Sequence, residues 1–166
     1  MLPKHLLNRE LVKARGIFSF REFRAEDYRP GAKPLREKVL GRNLALETGS
    51  DHILNVYAGI TGTGMTNANA LLGVGDGTAA ADRADTDLTG LSISYKAMSP
   101  SYPQMVDHAM VWRAVFIDEA ESRFEWCEAV LKDTAGGVCF NRCLFDTPET
   151  KVSGYVWECQ YAVSIW

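Results

Sequence analysis

The last stretch of the chain is the strongest constraint on its fold. From Tyr155 to Ile165 the residues alternate without a break. Tyr155, Trp157, Cys159, Tyr161, Val163 and Ile165 fall on one side, and Val156, Glu158, Gln160, Ala162 and Ser164 on the other. A helix would scatter the six large side chains around its axis, whereas a period of two gathers them on one face. That face needs a second layer to cover it, and the preceding residues are built as further strands. Ala109–Ile117 is almost wholly apolar, broken only by Arg113. Arg123–Leu131 and Val138–Phe145 follow, separated by the turn residues 118–122 and by Ala135-Gly136-Gly137. Leu91–Tyr95 alternates apolar and polar, and Leu71–Gly75 is a short apolar run. Short strands joined by turn residues, without intervening long helices, predict a mainly β chain: an antiparallel β-sandwich, jelly-roll-like, rather than βαβ units.

One or two short helices complete this expectation. Ser50 and Asp51 can open a helix through Ala58, on which Ile53, Val56 and Tyr57 recur at helical spacing and are expected to cover a sheet. Further on, Asn69–Leu88 reads as strand, tight turn at Asp76-Gly77, and an Ala-rich helical segment opened by Thr78. Asp82, Asp85 and Asp87 there are expected to face water.

Charge divides the chain. Residues 1–42 carry eleven Lys/Arg against five Asp/Glu, a balance of +6. Residues 43–166 carry seven against sixteen, a balance of −9. With Pro30-Gly31 and Pro34 interrupting regular structure, residues 1–42 read as an extended basic N-terminal arm on a β-sandwich domain of residues 43–166. The arm is expected to dock on acidic surface, its own body's, a sister subunit's or another protein's. Its aromatic residues alternate as if buried rather than displayed for base stacking, which argues against direct nucleic-acid binding. The residues assigned to partner binding are Arg15, Ile17, Phe18, Phe20, Arg21, Phe23, Arg24 and Arg29.

Chemistry is sparse. Gly73-x-Gly75-x-Gly77 lacks the third glycine of a dinucleotide fingerprint, and in Gly59-x-x-x-x-Gly64-Met65-Thr66 a methionine stands where a phosphate-binding loop needs lysine. His5, His52 and His108 have no paired spacing, and no nucleophile elbow occurs. Glu119, Glu121, Glu125 and Glu128 read as solvated charges around a turn. Asp82, Asp85 and Asp87 lack the glycine and terminal glutamate of a calcium loop. No metal, cofactor or catalytic residue is therefore expected. Cys127, Cys139, Cys143 and Cys159 lie inside apolar strand-like runs, which predicts buried free thiols. No run of about 18 apolar residues exists to span a membrane, and charges break Leu6-Leu7 and Leu11-Val12, so the start does not read as a signal peptide.

An ordered set of motifs adds a resemblance. These are Asn69-Ala-Leu-Leu-Gly-Val-Gly-Asp-Gly-Thr78, Asp85-Thr-Asp-Leu88, Tyr95-Lys-Ala-Met98 and Tyr102-Pro103. They continue with Trp112-Arg-Ala-Val-Phe116, Glu121-Ser-Arg-Phe-Glu-Trp126, Phe140-Asn-Arg142 and Thr150-Lys151. Together they resemble small virion structural proteins of tailed bacteriophages over residues 43–166. The resemblance implies a non-enzymatic particle component assembled in the host cytoplasm. Its foremost form would be a capsid decoration (cement) protein, a dimer or trimer, bound to the major capsid protein. A tail, baseplate or neck component is the alternative. A carbohydrate-binding β-sandwich is a further reading, and it would require an exposed aromatic platform beside carboxylates.

Overall fold

In the computed structural model, which describes residues 14–60, 63–134 and 137–165, nine antiparallel strands make one curled sheet. They are β1 (Ala14–Arg24), β2 (Arg36–Ala45), β3 (Ala70–Gly75), β4 (Ile93–Ala97), β5 (Gln104–Val106), β6 (Ala109–Phe116), β7 (Trp126–Asp133), β8 (Cys139–Glu149) and β9 (Tyr155–Ile165). A helix, α1 (Glu47–Tyr57), follows β2. The strand order is β4-β3-β7-β8-β2-β1-β9-β6-β5. The curl brings β4 round to β6. Met98 bridges Ala114, and the Ser99 N–H donates to the Arg113 carbonyl at 2.7 Å. Asp107 and His108 turn β5 into β6 with φ of 45° and 64°, the left-handed backbone that a two-residue hairpin loop requires.

The inward faces of these strands form the core. Trp157 of β9 stacks on Phe20 of β1 with centroids 4.1 Å apart, and Trp126 of β7 meets it edge-on at 4.7 Å. Phe116 of β6 packs against Trp126 at 4.9 Å, and Phe18 stacks on Phe145 of β8 at 5.6 Å. Burying side chains of this size contributes roughly 1.5–3 kcal/mol each. The alternation of β9 is kept: Trp157, Cys159, Tyr161 and Val163 are all buried on the inner side. Its other face is not uniformly wet, however. Val156 and Glu158 are buried as well, because the turn after β1 and the side chains of β6 cover that end.

The N-terminal expectation is corrected. Residues 15–42 are not an arm beside the domain but part of its centre. Strand β1 pairs along its whole length with β9, from Ala14 opposite Ile165 to Arg24 opposite Tyr155, and on its other edge with β2. Phe18 and Phe20 are core residues, and Phe23, on the outer face, is covered by Tyr28 at 5.2 Å. The basic side chains find their carboxylates within this chain: Arg21 with Glu158, Lys38 with Glu149, and Arg36 with Glu22 and Glu149, both at 3.3 Å. Residues 1–13 lie outside the described residues.

Both helix expectations change too. The helix α1 begins at Glu47, ahead of Ser50, and its only buried residue is Gly49, so Ile53, Val56 and Tyr57 do not seal a sheet. The segment after β3 forms no helix; residues 76–92 run irregularly over the outer face of β7 and β8. Gly77 is not in the left-handed region. A Cβ there would overlap the Glu128 carboxylate and the Thr89 hydroxyl, so close approach rather than turn geometry requires glycine.

Replacing Trp157 by alanine is expected to cost roughly 3–5 kcal/mol in denaturant melts, whereas Tyr57→Ala, at a side chain 90% exposed, should change stability by less than about 0.5 kcal/mol. Deleting residues 1–34 removes the strand between β2 and β9 and should abolish cooperative unfolding and the near-ultraviolet circular dichroism of the packed aromatics.

Candidate functional site

The outer face of β7 and β8 carries a buried ionic cluster. Glu128 and Arg142 are diagonal neighbours across the two strands, since Glu128 faces Leu144 and Val130 faces Arg142. Both side chains are fully buried. The Arg142 Nε–H donates to Glu128 Oε2 at 2.6 Å. Nη1 donates to Asp85 at 2.8 Å and to the Ala80 carbonyl at 3.3 Å, and Nη2 to the Ala79 carbonyl and Thr89 Oγ1, both at 2.8 Å. Every N–H of the guanidinium thus has an acceptor. Glu128 Oε1 accepts the backbone N–H groups of Thr89 and Gly90 at 2.9 and 2.8 Å. The expectation that Glu128 is solvated is corrected, as is that for Glu121, which is buried and paired with Lys96 at 2.7 Å.

The aspartates of residues 82–87 do not converge. Asp85 turns to Arg142, and Asp87 to Lys132 and the Tyr95 hydroxyl. Burial alone would raise the Asp87 carboxyl, but the hydrogen bonds from Lys132 and Tyr95 outweigh it and hold it below the ordinary carboxylate range. Burial pushes the Cys139 thiol up to about 12, with the Asp87 charge adding to it, and burial does the same to Cys143. All four cysteines are free and buried. Among the described residues no group of His, Cys, Asp and Glu is placed to hold a metal ion.

Surface concavities also lie apart from this cluster. The first, of about 460 Å³, is lined by Arg21, Phe23, Tyr28, Arg29, Arg113 and Glu158, together with residues 30–32. Glu158 is buried at its wall, accepts from Arg21 and from the Tyr28 hydroxyl at 3.3 Å, and forms an ion pair with Arg113 at 3.4 Å. Burial, reinforced by the Glu158 charge, raises the Tyr28 phenol. The Arg113 guanidinium lies over the Tyr102 ring at 4.1 Å, which fixes its plane.

Of the residues assigned to partner binding from sequence, this pocket gathers Arg21, Phe23 and Arg29. Phe18 and Phe20 are core, Ile17 is half-buried, and Arg15 and Arg24 are exposed away from the pocket lining. Tyr28, Arg113 and Glu158 were not assigned. The available signal was Arg113, the lone charge in an apolar strand.

The second concavity is apolar. Two adjoining hollows of about 260 and 520 Å³ share Ile53, Gly64, Met65, Trp112 and Phe140 between α1 and the start of β6. The Trp112 Nε1–H donates to the Met65 carbonyl at 3.0 Å and holds that loop against the sheet. Of their lining residues Ile53, Tyr57 and Met105 are exposed, and Leu54 is exposed on the same helix. No helix among the described residues is long and apolar enough to cross a membrane.

Arg142→Leu strands the Glu128 carboxylate in the interior and should cost roughly 3–5 kcal/mol, read in urea melts. The lowered Asp85 and Asp87 groups contribute stability that is fully present above the unfolded carboxylate value, about 3.9, and lost as the pH falls through the folded values. An Asp87→Asn variant should therefore show a shallower decline of stability below about pH 4 than the parent. No protein-family model matches the chain, and no curated protein and no solved structure matches it.

Proposed function

We propose that this chain is a non-enzymatic structural component of a tailed-bacteriophage particle, foremost a capsid decoration protein bound to the shell. The observation that carries the reading is where the phage-like motifs fall. Asp85, Asp87, Tyr95, Arg142, Lys151 and Trp126 bind mainly one another and neighbouring backbone. Trp126 donates to the Glu121 carbonyl at 2.9 Å, and Lys151 reaches the Asp118 carbonyl and Ser122 at 3.3 Å. Motifs spent on internal wiring suit a protein whose product is a rigid shape. The apolar hollow beside α1, lined by the exposed Ile53, Tyr57 and Met105, is the kind of surface that protein contacts use. The jelly-roll-like sandwich expected from sequence belongs to this proposal: the curl that joins Met98 to Ala114 sets the two halves of the sheet around one core.

Copy number in purified particles tests the reading. Hundreds of copies per particle are expected for a shell protein. A dozen or fewer would move it to the tail, baseplate or neck, and none would overturn the particle role. In the same particles a Leu54→Glu, Tyr57→Glu double variant, altered only at exposed side chains, should fold normally yet fail to co-sediment. Normal co-sedimentation would exclude the α1 face as the attachment surface.

A further inference from the structure

The pocket between β1, β6 and β9 holds more positive charge than its structural role needs. Three guanidiniums, Arg21, Arg29 and Arg113, line it against one carboxylate, Glu158, a balance of +2. Glu158 is already satisfied by Arg21, Tyr28 and Arg113, and a single buried carboxylate needs one cation rather than two. The Nε–H groups of Arg21 and of Arg113 are shielded from solvent and have no acceptor among the described residues. Arg29 forms no ion pair among the described residues. The nearby acids do not answer this excess. Glu37, opposite Arg21 across β1 and β2, lines a neighbouring depression that shares Arg21 with this pocket, yet the Arg21 ion pair is with Glu158; Glu26 and Asp27 stand exposed on the preceding turn and do not line the pocket.

We infer that this pocket is a binding site for a carboxylate side chain of an acidic protein segment. Guanidinium forks match the two oxygens of a carboxylate. Arg21 and Arg113 are held in place by Glu158, and Arg113 also by the Tyr102 ring, so little ordering remains to be done on binding. The aromatic and apolar wall of Phe23, Tyr28, Pro30 and Ala32 suits the methylene stem of a glutamate, which a bare inorganic anion lacks. Arg29 sits on a turn closed by the Ala32 N–H to the Arg29 carbonyl at 3.0 Å, with Gly31 at φ 81°, and stands free to close over the ligand. The site is defined by its own chemistry and holds whether or not the chain is a particle component.

The test is calorimetric titration of the full chain at low ionic strength with a short oligoglutamate peptide, a matching oligoglutamine peptide and inorganic phosphate. Saturable oligoglutamate binding is expected. It should weaken as salt is added and fall about tenfold in Arg29→Gln, the loss of one charge-assisted contact. Arg83→Gln, at an exposed arginine outside the pocket lining, should bind as the parent does. Because Arg29 is exposed and forms no ion pair among the described residues, its variant should melt like the parent, which separates lost binding from lost folding. The inference is overturned by any of four results: no saturable oligoglutamate binding, equal binding of oligoglutamine, unchanged affinity in Arg29→Gln, or phosphate binding as tightly as the peptide.

Discussion

The Glu128–Arg142 pair is the interaction on which the shape of this molecule depends. Residues 76–92 have almost no regular structure, yet they cover the outer face of the sheet, where their backbone groups would go unpaired without partners. The pair supplies those partners. Arg142 collects two carbonyls, and Glu128 two backbone N–H groups, from that one segment. A buried ion pair contributes little net stability compared with well-packed apolar residues; here it fixes a conformation. Once the segment is in place, Leu88 and Tyr95 close a second, smaller apolar cluster with Leu46, Val130 and Cys139. The strands β7 and β8 are thereby buried on both faces.

The same logic explains what could be read from the sequence. Strand positions were legible because the alternation in β9 and the apolar runs of β3, β6, β7 and β8 are local patterns, and packing preserved them. The ionic partners were not legible. Nothing in the neighbourhood of Glu128 marks it as buried, because its partner lies across a strand pair and the segment that covers it is 39 residues away. The Ala-rich run after Thr78 has helical propensity, but Arg142 draws on its carbonyls, and tertiary hydrogen bonding overrides propensity. For the same reason Asp85 and Asp87, expected in water, are tied to the sheet.

The N-terminal charges show the converse error. Eleven basic residues in the first 42 read as a free segment in search of acid. In the folded chain much of that acid comes from Glu149 and Glu158, more than a hundred residues later. What distinguishes Phe18 and Phe20 from the residues of a tail is their two-residue spacing, the signature that identified β9. In β1 that spacing is legible too, but the flanking charges assign the segment to an acidic partner rather than to this chain's own sheet. Arg21 and Glu22 lie beside two buried phenylalanines because the ends of their side chains reach polar partners: Glu158 for Arg21, and Arg36 and the Trp157 indole N–H for Glu22.

The pairing of β1 with β9 has a consequence for biogenesis. The first described strand lies between β2 and the last strand, and its register with β9 runs from Ala14–Ile165 to Arg24–Tyr155. During synthesis Phe18 and Phe20 emerge long before Trp157 and Tyr161 exist to cover them. Until translation reaches residue 165 the nascent chain presents one unpaired edge of β1 and half of an aromatic core. Closure across so great a sequence separation is slow, and an open strand edge beside exposed aromatics is a template for association with other chains. The sheet cannot assemble progressively from its beginning, so a ribosome that stalls late in the message releases a molecule lacking the strand that joins β1 to β6.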